Sequence, residues 1–145
     1  MHGNEITTTV AARYNAPVIE EFRANGGLVG GAFAGHALLL LNSTGARTGR
    51  NHVTPLSYLE ENGEYLVFAS KAGADIHPDW YFNLRANPDA RIEVGAEVLD
   101  VRAGELIGVQ RDVRFAQLTG LYPYFAEYQA KTERVFPVLA LTPTG

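Results

Sequence analysis

The stretch LLLLNSTGARTGRNHVTPLSYL, residues 38–59, combines an apolar run, a basic loop and a second strand-like segment. Leu38–Leu41 is short and wholly apolar, which predicts a strand buried on both faces. Turn-forming residues at 42–45 end this strand, and residues 51–59 predict the next one. We expect the rest of the chain to support these two strands and the loop between them.

The loop between the two strands carries two glycines and two arginines within residues 45–50. Gly45 and Gly49 permit backbone conformations closed to other residues and let a ligand approach backbone N–H groups. Arg47 and Arg50 offer forked donors that suit phosphate or carboxylate. The pattern is not a P-loop, because it lacks the Gly-Lys-Ser/Thr ending. Two interpretations stay open on spacing alone, an anion-binding loop and an ordinary solvated turn.

The charge distribution around the loop favours an anion. None of the 16 acidic residues lies between Phe22 and Leu59, whereas Arg23, Arg47, Arg50 and two histidines do. Such a span predicts a local positive field. The net charge of −4 and the pI near 5.5 nevertheless argue against a nucleic-acid surface. The predicted ligand is therefore small and anionic.

The composition is that of a single-domain globular protein, with 145 residues, 46% hydrophobic and 19% charged. The absence of cysteine excludes disulfides and cysteine-ligated metal sites, and it agrees with a reducing cytoplasm. No signal peptide is evident, and no apolar run approaches the roughly 20 residues that cross a bilayer. We expect a cytoplasmic protein with a flexible arm at residues 1–15 and one domain at residues 16–145.

Turn and capping residues divide the chain into six strands and three helices. The predicted strands are 38–41, 51–59, 64–70, 90–94, 97–103 and 135–141. The predicted helices are 17–25, 78–87 and 109–121. Asn62-Gly63 and Gly95 mark hairpin turns. Because the strands come mostly as hairpins, we predict an α+β protein with a six-stranded antiparallel sheet closed into a small barrel.

The first helix has a narrow apolar face formed by Val18, Ile19 and Phe22. A face of this kind usually packs on its own domain, the interpretation that we favour. The alternatives are peripheral contact with a membrane surface and gating of a substrate entrance.

The common catalytic templates are missing from the sequence. There is no G-x-S-x-G elbow and no H-E-x-x-H motif, and the four histidines are dispersed, so we expect no metal cluster. A chain without its own nucleophile or metal can use a cofactor, for which the protein supplies orientation and electrostatics.

Several short motifs, in this order, closely resemble the deazaflavin-dependent nitroreductase family over about residues 18–143. The most specific is HPDWYFNLRANP, residues 77–88, which follows the basic loop. The others are Thr44-Gly45, Arg47-Thr48-Gly49, Thr54-Pro55-Leu56, Ala69-Ser70-Lys71 with Gly73, and Tyr122-Pro123 with Tyr128-Gln129. The resemblance implies a split β-barrel, related to the FMN-binding one, that binds reduced deazaflavin coenzyme F420 and passes its hydride to a small organic acceptor.

The resemblance also implies the residues that bind the coenzyme. The basic loop would lie near its phosphate and acidic oligoglutamate tail, residues 54–56 along the ring, and residues 69–73 at the polar edge of the ring. The implied set is Arg47, Thr48, Gly49, Arg50, His52, Thr54, Pro55, Leu56, Ala69, Ser70, Lys71, Ala72, Gly73, Trp80 and Asn83. Lys71 has the alternative of a solvated loop lysine, and Trp80 that of a core residue.

Three positions depart from the pattern of the family. His52 stands where arginine is common, which replaces a permanent charge by a group that is neutral much of the time at pH 7. Ala72 stands where a second glycine is usual, which matters if the backbone there needs a positive φ. Phe125 stands where members that reduce nitroimidazole drugs have tyrosine, so we expect those drugs to be poor substrates.

An aromatic segment near the C-terminus supplies the predicted substrate contacts. The residues are Tyr122, Tyr124, Phe125 and Tyr128, together with Trp80. Tyr122 and Tyr128 are the candidate catalytic donors, because a phenol can stabilise or protonate the charge that hydride addition places on an acceptor oxygen. The alternative is that these rings only pack a helix on the barrel.

We therefore predict an F420-dependent reductase that acts on a planar, electron-poor acceptor such as a quinone, an activated alkene or a nitro compound. An FMN-dependent oxidoreductase of the same barrel class is the first alternative. A module that carries the deazaflavin without turning over a substrate is the second. The sequence does not predict the oligomeric state.

Overall fold

The computed structural model describes residues 8–28 and 38–144, which contain six strands and four helices. The strands are β1 (Leu38–Thr44), β2 (Asn51–Glu61), β3 (Glu64–Phe68), β4 (Asp89–Val94), β5 (Glu97–Leu106) and β6 (Val138–Pro143). The helices are α1 (Thr8–Ala24), α2 (Asp79–Ala86), α3 (Gly108–Leu121) and α4 (Tyr124–Ala130). A short turn at Lys71–Gly73, in which all three residues have positive φ, follows β3.

All strand pairs are antiparallel, and the sheet closes into a barrel in the order β1-β2-β3-β6-β5-β4. Closure is made by β1, in which Leu40 lies opposite Pro55 of β2 and Glu93 of β4. The predicted antiparallel six-stranded barrel is therefore confirmed. Closure leaves no free sheet edge, which is how small antiparallel barrels avoid pairing with other chains.

Three apolar clusters stabilise the barrel. Its interior is filled by alternate strand residues that include Leu39, Leu41 and Ile92, each 0% exposed. Outside the barrel, α1 covers Leu38 and Leu40, while α3 and α4 cover β3 and β6. Both faces of β1 are thus buried, as its unbroken leucine run predicts. Burial of each such leucine side chain favours the folded state by roughly 1.5–3 kcal/mol relative to leaving it exposed.

The predicted hairpins are confirmed, but one helix boundary is wrong and helix α4 was not predicted. Asn62 and Gly63 have φ of 54° and 80°, and Gly95 has φ of 59°, as tight turns between strands require. Helix α1 begins at Thr8 rather than Pro17, so Pro17 lies inside it. Residues 1–7 of the predicted arm lie outside the described residues, and the flexibility of the arm stays a prediction.

The apolar face of α1 packs on the barrel. Phe22 is 1% exposed and lies with Leu38 and Leu40 in one cluster, which Val18 and Ile19 border. The favoured interpretation of this helix therefore holds for its described side chains. Within residues 8–28 and 38–144, no helix is both long enough and apolar enough to cross a membrane.

Candidate functional site

The basic loop between β1 and β2 is closed by its own hydrogen bonds. The Gly45 N–H donates to the Arg50 carbonyl at 2.7 Å, and the Gly49 N–H donates to the Gly45 carbonyl at 3.0 Å. The Arg50 N–H donates to Thr48 Oγ at 3.2 Å. Gly49 has φ of 71°, in the left-handed region that favours glycine. The loop therefore holds a defined shape at the barrel end.

Helix α2 anchors this loop through Asn83. The side chain of Asn83 is 7% exposed, and its Oδ1 accepts the Ala46 N–H at 3.0 Å. Its Nδ2 donates to Ser43 Oγ at 3.4 Å. The resemblance placed Asn83 among the coenzyme-binding residues, and in the structure its amide holds the basic loop. Asn83 can thus act on a bound anion through the position of the arginines.

The two loop arginines differ from Arg23, the other arginine of the basic span, in their ion pairing. Arg47 and Arg50 are exposed and form no ion pair with any described residue. Arg23, which contributed to the predicted basic span, instead binds Glu93 through two contacts of 3.0 and 2.7 Å. This contact lowers the pKa of Glu93. The local positive field therefore comes from the loop itself.

His52 packs against the loop backbone. A Cβ added at Gly45 would lie 2.7 Å from His52 Nε2 and 2.7 Å from Thr48 Oγ. The absence of a side chain at Gly45 leaves room for this close approach, because a Cβ there would displace the imidazole. The departure from arginine at position 52 thus places a half-buried ring at the base of the loop.

The segment after β3 forms a left-handed turn at Lys71–Gly73. Lys71, Ala72 and Gly73 have φ of 46°, 52° and 85°. A left-handed conformation costs a residue with a Cβ roughly 1–2 kcal/mol. Ala72 therefore does occupy a position that needs positive φ, the condition on which its departure from glycine depends. Strained residues of this kind cluster at ligand sites.

Gly73 joins the left-handed turn to α4. A Cβ at this position would lie 2.7 Å from the Tyr128 carbonyl oxygen. Glycine is thus required by both φ and space, and it brings the turn against the helix that carries the aromatic residues.

Four of the six backbone N–H groups of residues 69–74 bind protein carbonyls. Those of Ala69, Ser70, Gly73 and Ala74 donate to the carbonyls of Pro137, Phe68, Ser70 and Lys71 at 2.9–3.0 Å. Lys71 and Ala72 hold the two remaining N–H groups. Ser70 is right-handed and Lys71 left-handed, a succession that points neighbouring N–H groups into one anion-binding concavity.

The Lys71 ammonium lies at the same turn. Its Nζ is buried and has no hydrogen bond to any described residue. Burial lowers the pKa of Lys71, and Arg134 lowers it further, while Asp79 opposes the shift. An ammonium removed from water without an acceptor is unfavourable. The predicted alternative of a solvated loop lysine therefore disagrees with the position of Nζ.

The outer face of β2 passes between the two helical covers of the barrel. Val53 packs with the α1 cluster and Leu59 with the α3–α4 cluster. Because side chains alternate along a strand, Pro55 and Ser57 lie on this outer face between the covers, and both are half-buried. Leu56 points into the barrel. Of residues 54–56, predicted along the ring, Pro55 thus lies with Ser57 in an outer strip between the helices, whereas Leu56 faces the barrel interior.

The aromatic segment covers one side of this strip. The pKa of Tyr124 is raised by burial, then by Tyr128 and Tyr122, while a hydrogen bond with Ser57 opposes the shift. Phe125 is 6% exposed and contacts all three tyrosine rings, with centroids 4.7–6.4 Å apart. The structure therefore brings the three tyrosines together near β2. Contact between Phe125 and a substrate stays a prediction, limited to its small exposed part.

Trp80 lies in the interior cluster of the barrel. It is 6% exposed and shares that cluster with Leu84 and Ile92. The structure thus places Trp80 where its core-packing alternative expected it, and its predicted contacts with coenzyme and substrate stay predictions.

Comparison with known proteins identifies the family. Residues 16–143 match the F420H(2)-dependent quinone reductase family. An F420H(2)-dependent quinone reductase of Mycobacterium tuberculosis is 35% identical over 127 residues, which cover 83% of this chain and 84% of the relative. The chain belongs to the F420H(2)-dependent quinone reductase family. The predicted family resemblance, the predicted enzyme class and reduced F420 as the predicted coenzyme are thereby confirmed.

Solved structures agree with this assignment. An F420-H2 dependent reductase named FDR-A is 42% identical, with a TM-score of 0.67 over 72% of this chain and 93% of that one. A second structure, described as a domain-swapped dimer, is 37% identical, with a TM-score of 0.69 over 93% of this chain and 99% of that one. Both confirm the split-barrel class of the fold.

The described residues fit the coenzyme of the F420H(2)-dependent quinone reductases. An acidic, phosphate-bearing ligand needs cations that are free to bind it, and Arg47, Arg50 and Lys71 all lack acceptors among the described residues. The strip on β2, flanked by the aromatic segment, adds a surface that suits a flat ring.

Sequence reasoning missed Arg134, which contacts the backbone of the left-handed turn. Its partners are main-chain carbonyls 60–65 residues earlier in the chain. Backbone acceptors have no residue-type signature, so one sequence held no indication of this contact. The resemblance to the family did not include Arg134 either.

Proposed function

We propose that this chain binds reduced F420 and transfers its hydride to a small, planar, electron-poor acceptor of the quinone type. The observation that carries the proposal is the buried Lys71 ammonium, which has no acceptor among the described residues and lies in a left-handed turn where the N–H groups of Lys71 and Ala72 donate to no described backbone carbonyl. F420 supplies the hydride when it is bound. The protein residues bind it, orient it and exclude water.

The coenzyme would be held from two sides. Arg47 and Arg50, with Thr48 and Gly49, would bind the phosphate and the oligoglutamate tail through charge-assisted hydrogen bonds. His52 would support that loop from below. Pro55 would lie along the ring, with Thr54 and Leu56 beside it on the same strand. Lys71 and the N–H groups of Lys71 and Ala72 would bind the polar edge of the ring, with Ala69, Ser70 and Gly73 shaping the turn.

The acceptor would lie against the aromatic segment. Tyr122, Tyr124 and Tyr128 offer ring surface on which a planar acceptor can stack. Tyr122 and Tyr128 would donate hydrogen bonds to the acceptor oxygen as negative charge develops on it. Activated alkenes and nitro compounds have the same requirements and are the further acceptor classes that we propose.

We also propose that the protein acts in the cytoplasm on small molecules and has no nucleic-acid partner. The absence of cysteine and the net charge of −4 support this proposal. Peripheral membrane contact would need a surface other than the described apolar face of α1, because that face packs on the barrel.

Titration of the purified protein with F420 and with FMN, followed by fluorescence, tests the proposal. We expect F420 to bind at least tenfold more tightly than FMN. Tight FMN binding without a response to F420 would instead establish the FMN-dependent alternative. F420 that binds in reduced form but is oxidised by no quinone, enone or nitro compound would establish the carrier alternative.

The charge of the loop is tested by replacing Arg47 and Arg50 together by alanine. We expect binding of F420 to weaken by roughly 2–4 kcal/mol if each arginine makes a charge-assisted contact, and added salt to weaken the wild type more than the variant. The matched control replaces Arg91 and Arg102, which removes the same charge from arginines that already pair with carboxylates. Equal losses in the two variants would make the effect one of net charge rather than of a built site.

A further inference from the structure

Arg134 contacts the left-handed turn on both of its sides. Its guanidinium donates to the carbonyls of Ala69 at 2.8 Å and Ser70 at 2.8 Å, just before the turn. Its Nε donates to the Ala74 carbonyl at 2.9 Å, just after the turn. One planar group thus fixes the two ends of the segment that contains Lys71 and Ala72. A lysine could not reproduce this, because it lacks a planar fork of donors.

Arg134 is itself held in place from several directions. Gln129 of α4 donates from Nε2 to the Arg134 carbonyl at 2.6 Å, and the Arg134 N–H donates to Thr132 Oγ at 3.1 Å. The guanidinium carbon lies 4.7 Å from the centroid of the Phe136 ring. The side chain is half-buried, and burial lowers its pKa. A side chain fixed in this way can impose a conformation on a neighbouring turn.

We propose that Arg134 is a positioning residue for the coenzyme: its three carbonyl contacts hold Lys71 and Ala72 in the left-handed conformation that presents the ammonium and two N–H groups to the ligand. The inference rests on the proposed function for the identity of that ligand. The left-handed conformation is unfavourable for both residues, so an external restraint is needed to keep it. Arg134 contacts the main-chain carbonyls of Ala69, Ser70 and Ala74 and would act on the ligand through the turn.

His77 completes the restraint. Its Nδ1 lies 2.8 Å from Arg134 Nη1, and because a guanidinium has only donors, Nδ1 must accept and the ring proton must sit on Nε2. Burial lowers the pKa of His77, as do Arg134 and Arg85, while Glu105 opposes the shift. The ring of Tyr81 packs against it at 4.7 Å. His77 must therefore be neutral to accept the hydrogen bond from Arg134 while Arg134 holds the turn.

A comparison of two single variants, Arg134→Lys and Arg111→Lys, tests the proposal. Arg111 is a matched control, because it also donates to a main-chain carbonyl, that of Phe136 at 3.0 Å, and lies over an aromatic ring, that of Phe115 at 4.5 Å. It does not contact the turn. We expect R134K to raise the Kd for F420 at least tenfold and R111K to change it less than threefold. Both should lower the melting temperature.

A second substitution separates positioning from general stability. Ala72→Gly removes the conformational penalty that Arg134 offsets, so R134K/A72G should regain at least half of the lost affinity on a logarithmic scale. Amide hydrogen exchange of residues 70–74 should be at least tenfold faster in R134K than in R111K. If R134K fails to fold, the same comparison is made between A72G/R134K and A72G/R111K.

The outcomes are distinct from those of the proposed function. A folded R134K with a Kd within threefold of the wild type and unchanged exchange at residues 70–74 would overturn the positioning role. If the wild type binds no F420 at all, the proposed function fails. The exchange comparison then decides by itself whether Arg134 holds the turn.

Discussion

Replacing Ala72 by glycine should stabilise the protein, the reverse of the usual effect of glycine. The alanine has φ of 52° and ψ of 28° and is exposed, so the substitution removes strain without removing packing. The left-handed conformation costs alanine roughly 1–2 kcal/mol. Glycine adds about 0.4–1 kcal/mol of conformational entropy to the unfolded chain, which opposes this gain. The free energy of unfolding should therefore rise by about 0.5–1 kcal/mol.

Urea denaturation followed by tryptophan fluorescence measures this change directly. The chain has one tryptophan, and Trp80 is 6% exposed in the barrel interior, so its emission reports global unfolding. Ala74→Gly is the matched control, two residues along the same segment, where φ is −63° and ψ is 155°. Without strain to relieve, A74G should lower the free energy of unfolding by about 0.4–1 kcal/mol.

The opposite signs of the two substitutions are the discriminating result. If A72G lowers stability by as much as A74G, the turn is not strained at position 72 in solution. The reasoning that links Arg134 to a restrained left-handed conformation would then be refuted as well, because no penalty would need to be offset.

Three further predictions concern the same site. Lys71→Met should raise the free energy of unfolding of the ligand-free protein by about 1 kcal/mol, because it removes an ammonium that has no acceptor among the described residues. The same substitution should weaken F420 binding at least tenfold. A loss of both stability and affinity would show that the ammonium has a protein partner. Tyr128→Phe should lower kcat for whichever acceptor is reduced by about ten- to a hundredfold if the phenol supplies one transition-state hydrogen bond, whereas unchanged steady-state kinetics would leave Tyr128 as packing. The folded state disfavours protonated His77, so the stability that neutral His77 contributes is present above the unfolded pKa of about 6.5 and is lost as pH falls below it. His77→Asn keeps an acceptor for Arg134 and cannot titrate, so it should flatten this pH dependence of stability. An equal slope in both proteins would assign the effect to other groups.

Local chemistry made most of the fold predictable from sequence. The Asn62-Gly63 turn and the prolines around α2 act within a few residues, so one sequence contains the whole cause. Strand β1 continues to Thr44 rather than ending at the polar residues, because Asn42–Thr44 pair with Asn51–Val53 of β2. The start of α1 at Thr8 was missed for a related reason. Proline marks the first turn of many helices, but Pro17 lies inside this one.

The candidate site likewise has a part that the sequence predicted, the basic loop, and a part that it did not, the left-handed turn. Glycine and arginine spacing indicated the basic loop, because those residue types carry their own conformational and chemical preferences. Lysine and alanine have no preference for left-handed backbone, so the residue types of Lys71-Ala72 did not predict the turn, and the one indication of it was the glycine usual in the family at position 72. Its cause lies some sixty residues away in Arg134. Asn83 was likewise assigned by resemblance to the coenzyme site, while its structural partner is the backbone of the loop.

We interpret the strained turn and the Lys71 ammonium as two parts of one ligand-binding feature. Each is unfavourable in the ligand-free protein, and each becomes favourable once an acceptor meets Lys71 Nζ and the two N–H groups beside it. A relaxed turn would direct those donors elsewhere, and a ligand would have to reorganise it on binding. By fixing the turn in advance, Arg134 places that conformational cost on folding rather than on binding. Stability and coenzyme affinity should therefore change in opposite directions at Lys71 and in the same direction at Arg134.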